Sequence, residues 1–163
     1  MSSKVLISQG FERSIQEQFE QFGSNRLYVT EVAGGFSGEA KDRLTDNEVN
    51  LVENEPYVRE TFPYFIQNAQ IRFGRDFYST SVLGTKISND YFESLNIEIA
   101  QGRAPRANER FAMVIGPRAA EEYYDRDIGI GSLLYIKDTK FKVVGITESV
   151  GNPQDDGAIY VPI

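Results

Sequence analysis

The chain has 163 residues, of which 40% are apolar, and a formal net charge of -7 with no histidine and no cysteine. This length and apolar content suffice for the core of one domain in water. The acidity argues against a nucleic-acid partner, because such surfaces concentrate Lys and Arg. Without histidine and cysteine the chain lacks the commonest general base, zinc ligand and thiolate nucleophile. No run approaches the roughly 18 to 20 apolar residues that span a bilayer.

The N-terminal part of the chain predicts a helix followed by a strand. Apolar residues recur at helical spacing over residues 7–22 and predict an amphipathic helix. Alternating apolar residues predict a strand over residues 25–32. The glycine-rich segment 33–39 lacks the Gly-Lys-Ser/Thr ending of a phosphate-binding loop, so we interpret it as a flexible turn.

The middle of the chain predicts a short helix and then an aromatic, β-rich segment. Thr45 and Glu48 have the spacing of a capping box, which predicts a helix from residue 46 to about residue 54. Alternation predicts strands over residues 58–66, 69–73 and 77–83. We interpret the aromatic side chains here as one face of a sheet packed on a core, rather than as a base- or sugar-stacking surface. They are Phe62, Tyr64, Phe65, Phe73, Phe77 and Tyr78.

The second half predicts short strands and helices in turn. Ser88 is a candidate N-cap for a helix over residues 89–95, and Pro117 suits the first turn of a helix over residues 118–124. Gly102 and Gly131 are assigned to backbone turns. The predicted strands are residues 97–99, 111–115, 133–136, 141–146 and 158–163, the third and fourth forming a hairpin. Residues 151–157 are predicted to be a polar loop.

Three acidic pairs are the candidates for chemistry. They are Glu121 with Glu122, Asp125 with Asp127, and Asp155 with Asp156. The first pair is adjacent on a predicted helix, so its side chains point to different sides. The third lacks the alternating oxygen ligands and distant Glu of a calcium loop, and we interpret it as solvated turn carboxylates. We therefore predict no catalytic, cofactor-binding or metal-binding residue and no enzymatic activity; a carboxylate-based enzyme is the least favoured alternative.

Short motifs also follow one another in order along nearly the whole chain. They are FGSNRLYV at 22–29, LTDNEV at 44–49, EPYV at 55–58, FP at 62–63, VLG at 82–84, DYF at 90–92, GR at 102–103, VIG at 114–116, GS at 131–132, VVGI at 143–146 and YVP at 160–162. In this order they resemble the extracytoplasmic (periplasmic core) domain of MacB-type ABC transporter permeases, within the MacB/FtsX-like superfamily. The resemblance is specific for the superfamily and not for a substrate.

The resemblance implies an α+β fold with a mostly antiparallel or mixed sheet. Residues 1–163 would form a single extracytoplasmic core domain. Within it, residues 24–82 and 141–163 would form a porter-like βαβ lobe built from both chain ends. Residues 83–140 would form a small, inserted, β-rich lobe.

The resemblance further implies a non-catalytic role at the cell membrane, with this domain on the periplasmic or external side. It would couple ATP hydrolysis to movement outside the membrane, for export or extrusion of a peptide, lipid, lipoprotein or drug-like substrate. Expected partners are its own transmembrane helices, a second permease copy, a cytoplasmic ABC ATPase that uses the ATP, and an adaptor or substrate protein. No cofactor is expected in this domain. The alternative is a free-standing soluble α+β module that binds a ligand or a protein.

Overall fold

The computed structural model describes residues 26–29 and 45–163. The chain divides into two units, Met1–Val52 and Glu53–Ile163. Residues 26–29 are exposed and lie in neither a helix nor a strand, so the strand predicted over residues 25–32 is wrong at these positions. A strand needs a neighbour for its backbone groups, and none of the described residues pairs with them. The predicted helix over residues 7–22 and turn over residues 33–39 lie outside the described residues.

Helix α1 (Asp46–Glu53) begins at the predicted capping box. The backbone N–H of Thr45 donates to the Glu48 carboxylate at 2.7 Å, and the Thr45 hydroxyl accepts from the N–H of Asn47 at 3.3 Å. These bonds satisfy N–H groups that have no partner within the helix. The bonds from Thr45 also lower the pKa of Glu48. The helix ends before Pro56, as predicted.

Residues 53–163 contain a mixed sheet of seven strands. The strands are β1 (Tyr64–Phe73), β2 (Asp76–Thr85), β3 (Ile99–Gly102), β4 (Ala112–Ile115), β5 (Leu133–Ile136), β6 (Thr139–Thr147) and β7 (Ile159–Pro162). Their order is β3-β6-β4-β7-β2-β1-β5, and β5 also pairs with β6, so the sheet closes on itself. The pairs β2–β7 and β4–β6 are parallel and the others antiparallel. The predicted α+β class with a mixed sheet is confirmed.

Three short helices lie between these strands: α2 (Asn89–Ser94), α3 (Pro117–Glu121) and α4 (Pro153–Asp156). Helix α2 starts as predicted, with the Ser88 hydroxyl accepting from the N–H of Tyr91 at 3.1 Å. Helix α3 ends three residues before the predicted residue 124, because Tyr123 and Tyr124 turn away to bond backbone carbonyls elsewhere. Helix α4 was not predicted, although Asn152 as N-cap followed by Pro153 is a known start signal.

Several strand boundaries differ from the prediction, most of all those of β1 and β3. Strand β1 begins after Pro63 rather than at residue 58, and it runs without a break to Phe73. Proline has no N–H to donate to a sheet, which favours a strand that starts after it. Strand β3 begins at Ile99, two residues later than predicted. The lobe assignment of residues 24–82 with 141–163 and of residues 83–140 stays a prediction.

The sheet has an apolar core on each face. Ile71, Met113 and Leu134 belong to the core on the inner side of the closed sheet. Tyr91 and Phe92 of α2 belong to the second core, on the outer side of β4, β6 and β7. Successive residues of β4 alternate between the two cores, which is why this strand reads as one continuous apolar run.

The predicted packing of the aromatic segment is correct for only part of it. Phe73 is buried and Phe62 is partly buried against the outer core. Tyr64 and Phe65 at one end of the β1–β2 hairpin, and Phe77 and Tyr78 at the other, are exposed. Within residues 26–29 and 45–163, no helix has both the length and the hydrophobicity required to cross a bilayer.

Candidate functional site

The start of β1 and the end of β7 meet at one end of the sheet. The strand register places Tyr64, Thr85 and Pro162 in one row across β1, β2 and β7. Thr85 is fully buried; its hydroxyl donates to the carbonyl of Pro63 at 2.9 Å, and its own carbonyl accepts from the N–H of Ile163 at 3.2 Å. One buried residue therefore ties together the segments leading into β1 and out of β7. We name this arrangement of Pro63, Thr85 and Ile163 the Thr85 clamp.

Gly84 shapes the other face of the clamp. A Cβ at this position would lie 2.3 Å from Cε1 of Phe65 and 2.9 Å from Cγ2 of Ile163. Both side chains therefore pack directly against the backbone of β2, and any side chain larger than hydrogen would displace them. The clamp is not predicted from the sequence, because the strand predicted over residues 77–83 ends before Gly84 and Thr85. The only available signal was the motif VLG at 82–84.

Strand β7 is hydrogen-bonded along both edges. It pairs in parallel with β2 from Val82 to Thr85 and antiparallel with β4 at Val114 and Ile115. A force directed along β7 would load these backbone bonds side by side, because they lie across the strand direction. The strand is therefore placed to carry load into the whole sheet.

The beginning of β7 is braced by a tyrosine. The Tyr123 hydroxyl donates to the carbonyl of Gly157 at 3.1 Å, and its ring stacks on Tyr78 with a centroid distance of 3.9 Å. A Cβ on Gly157 would lie 2.0 Å from the Tyr123 hydroxyl, so this contact requires glycine. The neighbouring Tyr124 hydroxyl donates to the carbonyl of Ile71 at 3.1 Å, and burial raises the pKa of Tyr124 to about 12.

Asp156 is a second brace, and its assignment as a solvated turn carboxylate is wrong. Its carboxylate is buried and accepts from the Ser149 hydroxyl at 2.7 Å and from the N–H of Val150 at 2.8 Å. The bond from Ser149 lowers the pKa of Asp156. The carboxylate thus pins the loop after β6 to helix α4. Asp155 is exposed, as predicted, and accepts from the Asn152 side chain at 2.9 Å.

The other acidic candidates do not converge on a common site. Glu122 pairs with Arg118 at 2.7 Å, and Glu121, Asp125 and Asp127 are exposed. Among residues 26–29 and 45–163, no group of three acidic side chains has the arrangement of a metal site.

A shallow cleft of about 260 Å³ is separate from these acidic pairs. Its lining residues are Glu53, Val58, Arg59, Glu60, Thr61 and Lys86. Within it, the Thr61 hydroxyl donates to the Glu53 carboxylate at 2.6 Å. The lining mixes both signs of charge and contains none of the sequence-predicted acidic pairs. The cleft therefore does not indicate a particular chemistry.

The predicted turn glycines both adopt a left-handed backbone. Gly102, at the end of β3, has φ of 76° and Gly131 has φ of 89°. At Gly102 a Cβ would also lie 2.2 Å from the carbonyl oxygen of Val144, whereas at Gly131 nothing lies within 4 Å. Both positions therefore favour glycine, the first for two reasons and the second for one.

Comparison with known proteins gives consistent matches over the whole chain. The ABC transporter permease MJ1507 of Methanocaldococcus jannaschii is 28% identical over all of this chain and 41% of its own length. The macrolide export ATP-binding/permease protein MacB of Haemophilus ducreyi is 22% identical over 97% of this chain and 23% of its own. The chain therefore spans less than half the length of these relatives.

A solved structure has the same fold. The periplasmic region of MacB from Actinobacillus actinomycetemcomitans superimposes with a TM-score of 0.65 at 15% identity, covering 80% of this chain and 61% of that one. The family model of the MacB-like periplasmic core domain matches residues 3–163. This match takes in both segments joined by the Thr85 clamp and the two braces of β7. The chain belongs to the MacB-like periplasmic core domain family.

Proposed function

We propose that this chain is the non-catalytic extracytoplasmic domain of an ABC permease subunit and that it transmits movement. The observation that supports the proposal best is the Thr85 clamp. Because the segments leading into β1 and out of β7 leave the sheet at the same end, the second unit can be inserted between two membrane-spanning helices. The remainder of the unit would then project away from the membrane.

In this proposal the ATP is hydrolysed by a separate cytoplasmic ATPase subunit. Closure of that subunit moves the transmembrane helices, and the helix that follows Ile163 pulls on β7. Because β7 is bonded on both edges within a closed sheet, the unit moves as one body instead of unravelling. The domain acts as a lever and a docking surface.

Export is the direction that the relatives support. One relative is named as a macrolide exporter. We propose the same direction of transport for this chain, but not the same substrate. The substrate class stays open between peptide, lipid, lipoprotein and drug-like molecules. A second permease copy and an adaptor or substrate protein are the further partners that we propose.

The coding DNA on both sides of this segment tests the membrane part of the proposal. We expect one span of roughly 20 apolar residues upstream and about three downstream. Stop codons directly flanking the segment would show that it is a separate protein without such helices, and would refute the permease assignment.

Single-molecule pulling tests the lever itself. The chain has no native cysteine, so an Arg75→Cys variant with a cysteine added after Ile163 provides two defined handles. Pulling between them directs the force along β2 and β7, whereas handles at Glu53→Cys and after Ile163 direct it across the strands. We expect a higher rupture force for the first pair. An equal or lower force would refute load-bearing along β7.

A further inference from the structure

One part of the sheet's outer face has a charge opposite to that of the whole chain. The strand register places Phe77, Arg72, Tyr135 and Lys140 side by side across β2, β1, β5 and β6. Lys142 occupies the same face one row further along β6, opposite Leu133. We name these six residues the basic wall.

The inward positions of these strands fill the apolar core, so the alternate positions face outward. The charged residues at outward positions of β1, β2, β5 and residues 139–142 are Arg72, Lys140 and Lys142. All of them are basic, although the chain carries a net charge of -7. This stretch therefore attracts anionic groups that the rest of the surface repels.

Arg72 is held in an orientation suited to a carboxylate. Its guanidinium carbon lies 4.0 Å from the centre of the Tyr135 ring, and one nitrogen donates to the carbonyl of Gly74 at 3.3 Å. The ion pairs within residues 26–29 and 45–163 are Arg103–Glu109 and Arg118–Glu122, so Arg72 has no acidic partner there. A guanidinium that lies over a ring and has no acidic partner retains N–H groups that can donate to a carboxylate.

Apolar groups border the cations. Phe77 is 58% exposed and Leu133 is 42% exposed. Aromatic residues and arginine are enriched in protein interfaces, whereas a surface that only confers solubility has no need of exposed Phe. The composition therefore fits a polypeptide that brings carboxylates and apolar side chains together.

The position of the basic wall favours a protein over a membrane surface as its binding partner. At about 3.3 Å per residue, Arg72 lies roughly 26 Å along β1 from Tyr64, which belongs to the row of the Thr85 clamp. If the clamp faces the membrane, the basic wall is held away from the lipid headgroups. This step rests on the proposed function.

We propose that the basic wall binds an acidic, extended segment of a partner protein outside the membrane. Carboxylates of the segment pair with Arg72, Lys140 and Lys142, while Phe77, Leu133 and Tyr135 pack against its apolar side chains. A membrane surface and a second copy of this acidic chain are the competing occupants.

The test uses a fluorescein-labelled deca-glutamate peptide and the 163-residue chain, with binding followed by fluorescence anisotropy at low salt. We expect saturable binding that a deca-glutamine peptide does not show. The variant R72Q/K140Q/K142Q should bind at least about tenfold more weakly, since several charge-assisted bonds are lost. The matched control R59Q/K86Q/R106Q removes the same amount of charge from exposed residues outside the wall and should bind within about twofold of the parent. Circular dichroism checks that all three chains fold alike.

Equal weakening in both variants, or no binding by the parent, would overturn the proposal. So would wall-dependent binding to vesicles of 30% phosphatidylglycerol without peptide binding, which would assign the wall to a membrane. Self-association that the wall variant abolishes, again without peptide binding, would assign it to a second copy. The permease assignment is tested separately by the flanking DNA, so the failure of one does not imply failure of the other.

Discussion

The contact between Gly157 and Tyr123 yields a double-mutant prediction. In Gly157→Ala the new methyl group would lie 2.0 Å from the Tyr123 hydroxyl. The backbone at residue 157 has φ of -96° and ψ of 0°, which alanine tolerates, so the cost arises from this collision and not from backbone strain. Tyr123 must move, and it then loses its hydrogen bond to the Gly157 carbonyl and its stacking on Tyr78.

The expected magnitudes follow from these losses. Overpacking costs about 1–3 kcal/mol, and the hydrogen bond contributes about 1 kcal/mol. Alanine also reduces the entropy of the unfolded chain, which offsets about 0.5 kcal/mol of this destabilisation. We therefore expect Gly157→Ala to lower the free energy of unfolding by about 1.5–3.5 kcal/mol. Tyr123→Phe alone should cost about 1 kcal/mol.

The double variant distinguishes a local collision from a general defect. Without the hydroxyl, the nearest side-chain atom to the new methyl group is Cζ of residue 123 at 3.2 Å, a tight contact that a small shift relieves. Gly157→Ala combined with Tyr123→Phe should therefore be more stable than Gly157→Ala alone, with a coupling of about 2 kcal/mol. Urea unfolding followed by circular dichroism measures all four chains. Additive effects of the two substitutions would refute the collision.

Three further predictions concern positions that the sequence analysis singled out or missed. Gly102→Ala should destabilise by about 2 kcal/mol more than Gly131→Ala, because it meets a β6 carbonyl while both need a left-handed backbone; equal losses in urea unfolding would contradict this. The folded-state pKa of Asp156 is lowered, so its stabilisation is complete above the unfolded value near 4 and disappears on acidification below it. Between about pH 5 and 3 the parent should thus lose more stability than Asp156→Asn, and parallel pH profiles would argue against a bonded carboxylate. Thr85→Val should cost about 1–3 kcal/mol by leaving the partly buried Pro63 carbonyl without its donor, whereas the exposed Thr139→Val should change little; hydrogen exchange at the amide of residue 163 should quicken only in the former.

Local sequence patterns were sufficient to predict several helices and strands. Ser88 and the Thr45–Glu48 pair predict the starts of their helices correctly, because capping involves residues within one helical turn. The apolar run that contains β4 also predicts a buried strand correctly. The pairing of β4 with β6 and β7 could not be predicted from this run, since periodicity within one segment carries no information about partners distant in sequence.

The candidate site could not be predicted in this way, because most of its contacts join residues that are distant in sequence. Thr85 joins Pro63 to Ile163, and Tyr123 reaches Gly157, across gaps of many residues. Asp156 resembles any loop carboxylate in sequence, and only the folded loop places Ser149 beside it. The clamp and the Tyr123 contact join groups that no short sequence window contains together.

By itself, the sequence determined the composition limits, the capped helices, most strand segments and the ordered motifs of the family, because each depends on neighbouring residues or on residue order. The tertiary structure alone decided that the sheet closes, that Thr85 ties the two segments together and that Phe77 and Arg72 share an outward face. The physical reason is that cross-strand register and burial depend on the packing of the whole chain.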